Sequence, residues 1–376
     1  MNPQKVSTPI THFYSKSRVY SEPFGNVLII SPWNYPFTLS FSPMIGAMAA
    51  GNTVVLKPSE MTPHSSALMR EMIAETFPSE YITVVEGDGE TTQALIRENF
   101  DYLFFTGSDA VGREVMKTAS EYLTPVTLEL GGKSPAIVAA DADLVKAAVR
   151  IAWGKTVNAG QTCIAPDYVL VHRSVKNRFI LLVQKAWDRL YGMDIFENED
   201  FPSIINEKHF KRIIELFEQE EILYGGRSDL DTRKIEPTIV DEPALDSRMM
   251  QEEIFGPILP ILSYDSFDEV VNIIRHREKP LALYLFTEKR ALKEEVSKTL
   301  SFGGGVINDT LIHFANSNLP FGGVGSSGMG NYHGKYSFAT FSHAKGMSEK
   351  TTLFDIAFRY PPYTDFKEKV IHFISK

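Results

Sequence analysis

The chain has 376 residues, 43% hydrophobic and 23% charged, a composition that supports a large packed core and leaves no room for wholesale disorder or a fibrous repeat. At this length two structural units are expected rather than one. The net charge of −9, from 38 basic and 47 acidic residues, repels phosphate backbones and anionic membrane surfaces, which argues against nucleic-acid binding. The single cysteine, Cys163, cannot form an intramolecular disulfide, and no basic start followed by an apolar run reads as a secretory leader. A cytoplasmic setting is expected.

No residue between Glu22 and Lys57 is charged, yet Pro32, Asn34, Pro36, Pro43, Gly46 and Gly51 would interrupt a membrane-spanning helix repeatedly. The stretch reads instead as a strand at 27–30 and a small-residue helix at 41–50 closed by Gly51. Next come a strand at 53–56, a helix at 63–77 capped by Thr62, a strand at 82–85, a helix at 91–98 and a strand at 102–105. The alternation resumes with strands at 136–138 and 168–171 and helices at 143–153 and 176–190. Later strands fall at 258–262, 281–286 and 305–308, with helices at 267–276 and 290–300. Strand-helix alternation predicts an α/β fold with parallel, doubly wound sheets and ligands beyond strand ends. The glycine-rich segment 320–334 reads as a shaped loop.

Several loops carry side chains suited to chemistry. Cys163 sits in Gly160-Gln161-Thr162-Cys163-Ile164-Ala165-Pro166, a turn that suits a partly exposed nucleophile, although a small buried hydrophobe is the ordinary fate of a free cysteine. Metal binding is not expected, since there is no second cysteine and no H-E-x-x-H spacing. Glu129 lies between Leu128 and Leu130 and just before two glycines. A nonpolar setting there would raise its pKa and suit general-base work, and pairing with Lys133 or helix capping is the alternative. Phe105-Thr106-Gly107-Ser108-Asp109-Ala110-Val111-Gly112 joins a strand to a helix whose N-terminus could face a phosphate, or could be only a tight turn. Lys57-Pro58-Ser59-Glu60 offers a cation and a carboxylate to a ribose, or a surface ion pair. Asn34, in Trp33-Asn34-Tyr35-Pro36, could donate to an oxyanion or simply form a turn.

Taken in chain order, and with Glu252-Glu253-Ile254-Phe255-Gly256-Pro257, these segments resemble the aldehyde dehydrogenase superfamily, most of all its class 3 or fatty aldehyde branch. The resemblance runs from about Ser21 to the C-terminal region. It implies NAD(P)-dependent oxidation of an aldehyde to a carboxylic acid on two doubly wound α/β domains with an oligomerisation extension. The implied division is a bridging segment over 1–22, an NAD(P)-binding domain over 23–132, a catalytic domain over 133–322 and an oligomerisation segment with tail over 323–376. By the same resemblance Cys163 is the nucleophile, Asn34 the oxyanion donor and Glu129 the base that activates water. Glu253 would bind the nicotinamide ribose and Phe255 would pack beside the nicotinamide. Lys57 and Glu60 would meet the adenosine ribose, and Gly107, Ser108 and Gly112 would lie by the pyrophosphate, with Trp33 and Leu130 also on the cofactor side. Glu60 favours NAD over NADP, because a carboxylate repels a 2′-phosphate, although NADP remains open.

Tyr35, Trp153, Thr162, Phe314 and Phe321 are candidates for an apolar substrate tunnel, with core packing as the alternative; such a tunnel would select medium or long aliphatic, or aromatic, aldehydes. Class 3 relatives carry several dozen residues before the region matching Ser21, where this chain has twenty, so a shortened N-terminus with weakened cofactor affinity is expected. No apolar membrane anchor is expected at the other end, and a homodimer or homotetramer is, with 336–343 pairing onto a neighbouring subunit's sheet. Two competing readings are a CoA-acylating relative and a non-catalytic remnant serving as a binding or assembly protein.

Overall fold

The computed structural model describes residues 2–9, 12, 14–353, 355–356 and 359–374. The chain opens with β1 (Gln4–Val6) and β2 (Ser15–Pro23), which pair antiparallel. There follow β3 (Asn26–Ile30), α1 (Pro36–Ala50), β4 (Thr53–Lys57), α2 (Pro63–Thr76), β5 (Ile82–Val84), α3 (Gly89–Leu95), β6 (Tyr102–Thr106), α4 (Asp109–Tyr122) and β7 (Val126–Glu129). The second half contains β8 (Pro135–Val138), α5 (Leu144–Thr156), β9 (Tyr168–His172), α6 (Lys176–Tyr191), α7 (Glu207–Phe217), β10 (Ile222–Tyr224), β11 (Ser228–Asp229), β12 (Lys234–Ile235) and β13 (Thr238–Asp241). Then come α8 (Arg248–Gln251), β14 (Ile258–Tyr264), α9 (Phe267–Arg275), β15 (Ala282–Phe286), α10 (Arg290–Thr299), β16 (Gly304–Ile307), β17 (Gly328–Met329), α11 (Lys335–Thr340), β18 (Ser342–Lys350) and α12 (Asp365–Ile374).

The first large sheet has the order β17-β7-β6-β3-β4-β5, parallel except where β17 meets β7. Its central strands are apolar on both faces because both are covered. Val27 and Ile29 of β3 share a cluster with Met44 and Ala47 of α1. Leu28 and Ile30 point the other way, into a cluster with Val115 and Ala119 of α4. Each such side chain contributes about 1.5–3 kcal/mol on leaving water, so the uninterrupted apolar run reads as a central parallel strand rather than an amphipathic one. The chain steps outward from β3 to β4 and β5, then returns to the other side of β3 with β6. That reversal opens a crevice beyond the carboxyl ends of β3 and β6, where ligands bind in sheets of this kind.

The second large sheet, β10-β13-β14-β9-β8-β15-β16, is parallel except between β10 and β13. Val169 and Val171 of β9 pack with Ile151 of α5 and Phe179 and Val183 of α6, and Leu170 faces α9 and α10 through Ile274 and Val296. Within this sheet β8 and β9 are joined at their start, where Asp167, just before β9, donates its backbone N–H to Ser134 O at 2.8 Å, just before β8.

Three features depart from the sequence reading. The first helix begins at Pro36 rather than 41, since proline at its first position needs no amide partner. Thr62 stands at the head of α2 but its side chain makes no cap bond. Residues 336–340 are helical within α11, and β18 pairs in register with β2 of the same chain, His343 opposite Glu22, so 336–343 does not form the strand expected to join a neighbour. No helix among the described residues is long and apolar enough to cross a membrane.

Asn52 joins three parts of this frame. Its amide donates to Ala47 O at 3.0 Å and Phe341 O at 2.9 Å, and its carbonyl accepts from Gly25 N at 3.0 Å, while Asn52 itself is fully buried. Asn52→Ala strands these buried groups and is expected to cost about 3 kcal/mol of stability, read as a lowered urea midpoint with an unchanged slope.

Candidate active site

The crevice at the strand reversal deepens into a cavity of about 260 Å³ whose lining includes Trp33, Asn34, Gly107, Ser108, Glu129, Leu130, Cys163, Glu253 and Phe255. Nine of the residues singled out in the sequence therefore converge on one space from five segments of chain. Trp33 and Asn34 follow β3, Gly107 and Ser108 lead into α4, Glu129 ends β7, Cys163 precedes β9 and Glu253 follows α8.

Asn34 is tied to the cysteine loop. Its Nδ2 donates to Gln161 O at 3.0 Å, and Asn158 Nδ2 donates back to Asn34 O at 3.0 Å. Tyr35 Oη and Thr162 Oγ1 are 2.7 Å apart in the same contact. The loop reaches this position through Asn158 and Ala159, both at φ 52°, and Gly160 at φ 76°. A Cβ on Gly160 would lie 2.3 Å from Gly256 O, so glycine is needed there for both space and backbone.

Glu129 is enclosed between strands. Gly107 N–H donates to its backbone carbonyl at 3.0 Å, and β17 lies against it through Gly328. Only 2% of the residue is exposed, and neither carboxylate oxygen has a hydrogen-bond partner among the described residues. Lys133, the partner weighed for it from sequence, pairs with Asp167 instead. Burial without compensation raises the Glu129 pKa well above the ordinary carboxylate value. Burial also lifts Glu253 to about 8, helped by the nearby Asp167 charge and opposed by a bond from the Gly132 amide. Cys163 is half-buried at the cavity wall, where desolvation and then the Glu253 and Glu129 carboxylates push its thiol up to about 12.

The cofactor candidates divide by location. Trp33 stacks edge-on to Phe255 at 5.5 Å and tilts against His209 at 5.6 Å, forming one aromatic wall. Gly112, buried in α4, faces Leu130: an added Cβ would lie 2.6 Å from that side chain. Lys57 and Glu60 stand apart from the cavity lining, at the end of β4. Lys57 is 2% exposed and donates to Pro58 O at 2.9 Å, with Glu60 at 3.5 Å. Of the tunnel candidates, Phe314 and Phe321 meet ring to ring at 4.9 Å, and both pack in the apolar cluster that also holds Cys163. Phe314 lines a separate cavity of about 510 Å³ with Ile45 and His333. Trp153 projects from the last turn of α5 with 42% of its surface exposed.

The sequence reading passed over His209 and Arg212, which enter the cavity lining from α7. The available signal was Asn206 ahead of a strongly amphipathic run: its side chain caps α7 by accepting from His209 N at 2.9 Å.

A crevice at a topological switch point that gathers a thiol, an amide and two buried carboxyl groups is the arrangement of an α/β enzyme. The chain belongs to the aldehyde dehydrogenase family, whose profile matches residues 3–347. It is 54% identical to 4,4'-diaponeurosporen-aldehyde dehydrogenase of Staphylococcus aureus, over 96% of this chain and 79% of that protein. It is 46% identical to aldehyde dehydrogenase family 3 member H1 of Arabidopsis thaliana, over 99% and 78%. Its fold matches the substrate-bound state of Staphylococcus aureus AldH with a TM-score of 0.96 and 52% identity, covering 100% of this chain and 82% of that one. The NAD+ complex of a Bacillus cereus aldehyde dehydrogenase matches at 0.84 and 31% identity, covering 93% and 72%. The expected fold class and the likeness to the class 3 branch both stand, and aldehyde oxidation with a nicotinamide dinucleotide is the activity class they define.

Desolvation is the first cause of the raised Cys163 thiol and the Glu253 and Glu129 carboxylates add to it, so removing one of those charges should ease ionisation of the sulfur. In Glu129→Gln the apparent pKa governing iodoacetamide alkylation of Cys163 is expected to fall below that of the unaltered protein, giving faster alkylation at any pH between the two values.

Proposed function

We propose that this chain oxidises apolar aldehydes to carboxylic acids with NAD through a covalent bond to Cys163, as the resemblance first suggested. The observation that carries this reading is the convergence of Cys163, Asn34, Glu129 and Glu253 on one 260 Å³ cavity. The residues fit a dinucleotide. The N-terminus of α4, entered through Gly107 and Ser108, offers backbone amides to a pyrophosphate with Gly112 behind them. Glu253 and Glu60 offer acceptors to ribose hydroxyls, and Trp33, Phe255 and Leu130 offer apolar walls. The exposed Glu60 carboxylate beside Lys57 favours a free 2′-hydroxyl over a 2′-phosphate, hence NAD over NADP.

In the mechanism supported, the Cys163 thiol releases its proton to solvent as its sulfur bonds to the aldehyde carbon and the carbonyl π pair moves onto oxygen, giving a tetrahedral thiohemiacetal. Asn34 Nδ2 and the Cys163 backbone amide donate to that oxygen; losing a donor of this kind removes roughly 2.7–4 kcal/mol of barrier stabilisation. When bound, the dinucleotide supplies the two-electron acceptor that takes this adduct to the thioester. Glu129 then accepts a proton from water as the water oxygen bonds to the acyl carbon, the carbon–sulfur bond breaks and the sulfur recovers a proton. Burial raises the proton affinity of this carboxylate, which suits it to take the proton from water. The buried position of Glu129 at the cavity supports water rather than CoA as acyl acceptor.

Tyr35, Thr162, Phe314, Phe321 and the half-exposed Trp153 support an apolar approach to the sulfur, suited to medium or long aliphatic, or aromatic, aldehydes. The Staphylococcus aureus relative is named for one particular aldehyde. The free outer edge of β18 among the described residues supports a homodimer.

The test is a series of aldehydes of increasing chain length with NAD, NADP and added CoA, followed by absorbance of the reduced nicotinamide and by product analysis. Free acid from NAD, with efficiency rising with chain length, is expected; acyl-CoA as product would overturn the hydrolytic route. Cys163→Ala is expected to lose turnover by at least a thousandfold while calorimetry still detects NAD binding. In Glu129→Gln, intact mass after aldehyde and NAD is expected to show a persistent acyl adduct, and an unmodified mass alongside NADH release would exclude Glu129 as the deacylating base.

A further inference from the structure

The segment between α8 and β14, which carries Glu253 and Phe255, has no strand or helix to satisfy its backbone. Charged side chains do so instead. Lys133 Nζ donates to Met249 O at 2.7 Å and Glu252 O at 2.8 Å, and its remaining bond goes to Asp167 Oδ2. The other oxygen of Asp167 accepts from Ile254 N at 3.0 Å. From the opposite side, Arg212 of α7 donates to Glu253 O at 3.2 Å and Ile254 O at 2.6 Å. Lys133 and Asp167 are 8% and 4% exposed, so these bonds form out of water, where an unmade one is costly.

The placement of these residues is informative. Lys133 lies four positions after Glu129, and Asp167 lies four positions after Cys163. Their ion pair therefore joins the loop of the proposed base to the loop of the nucleophile, and both partners then grip the segment bearing Glu253. Gly131 sits within this junction: an added Cβ there would stand 2.0 Å from Glu253 Oε2. Phe255 follows at φ 49°, a backbone conformation its own side chain does not favour and the surrounding bonds must hold.

We infer that Lys133, Asp167 and Arg212 are positioning residues, a clamp of charged side chains that fixes residues 252–254 and so sets Glu253 and Phe255 for the dinucleotide. The inference rests on the proposed contact between Glu253 and the cofactor. The clamp acts through backbone bonds rather than through net charge, and Lys155 provides the comparison. Lys155 is a fully buried lysine in the same charged neighbourhood, near Asp167, Lys133 and Glu253, but its Nζ has no hydrogen-bond partner among the described residues.

The experiment measures NAD dissociation constants by calorimetry, NAD KM and kcat, and the iodoacetamide alkylation rate of Cys163 in the full chain. The variants are the charge-neutral pair Lys133→Met with Asp167→Asn, Arg212→Met alone, and Lys155→Met. The first two are expected to weaken NAD binding about tenfold or more, with alkylation changed less than threefold, while Lys155→Met leaves NAD affinity within about threefold. In a Glu253→Gln background the Arg212→Met effect is expected to shrink to less than threefold, because the clamp acts through that residue. Equal losses in Lys155→Met and the clamp variants would overturn the inference in favour of bulk charge, as would unchanged NAD affinity in Arg212→Met. Should the paired variant fail to fold, Arg212→Met and its Glu253→Gln cycle decide alone. Failure of the unaltered protein to bind NAD would instead remove the cofactor reading on which the clamp rests, and is seen before any variant is compared.

Discussion

Everything in the site depends on one cross-sheet contact, the bond from Asn34 Nδ2 to Gln161 O with the return bond from Asn158 to Asn34 O. Asn34 hangs from the end of β3 in the first sheet, and Gln161 belongs to the turn that precedes β9 in the second. Neither sheet alone could present an amide donor opposite a thiol. The three residues 158–160 have left-handed backbone angles, and the bonds that tie this turn to Asn34 offset that local cost. Strain at the cysteine turn is thus held by those bonds.

The second governing constraint is dryness. Glu129, Glu253 and Cys163 share a cavity in which two carboxyl groups and a thiol are all driven towards their neutral forms. Burial there penalises any charge that no hydrogen-bond donor meets. In the function proposed above, a charge that forms there would meet the Asn34 amide and be quenched within the same enclosure.

Much of this was legible from the amino-acid order because parallel strands buried on both faces leave continuous apolar runs. Residues 27–30 and 102–105 announced themselves in that way, and the glycines near 107 and 131 marked where backbone had to approach closely. Two kinds of feature were not legible. The α7 helix, with His209 and Arg212, has its signal in the Asn206 cap and the amphipathic run after it, but neither says that this helix turns towards the crevice. Lys133 was weighed only against its near neighbour Glu129, because sequence distance says nothing of Asp167, 34 residues away. The strand 342–350 escaped because its residues are almost all exposed, and a strand without an apolar face has no period to read.

That last strand has a consequence for how the protein is made. Strands β2 and β18 pair along nine positions although they lie near opposite ends of the chain, with Ser15 opposite Lys350, and Asn52 waits for the carbonyl of Phe341. During synthesis the early half leaves the ribosome hundreds of residues before its partner exists. The nascent chain must therefore keep β2 as an unsealed edge until β18 has been made, and that interval is when a holding chaperone would have most to protect.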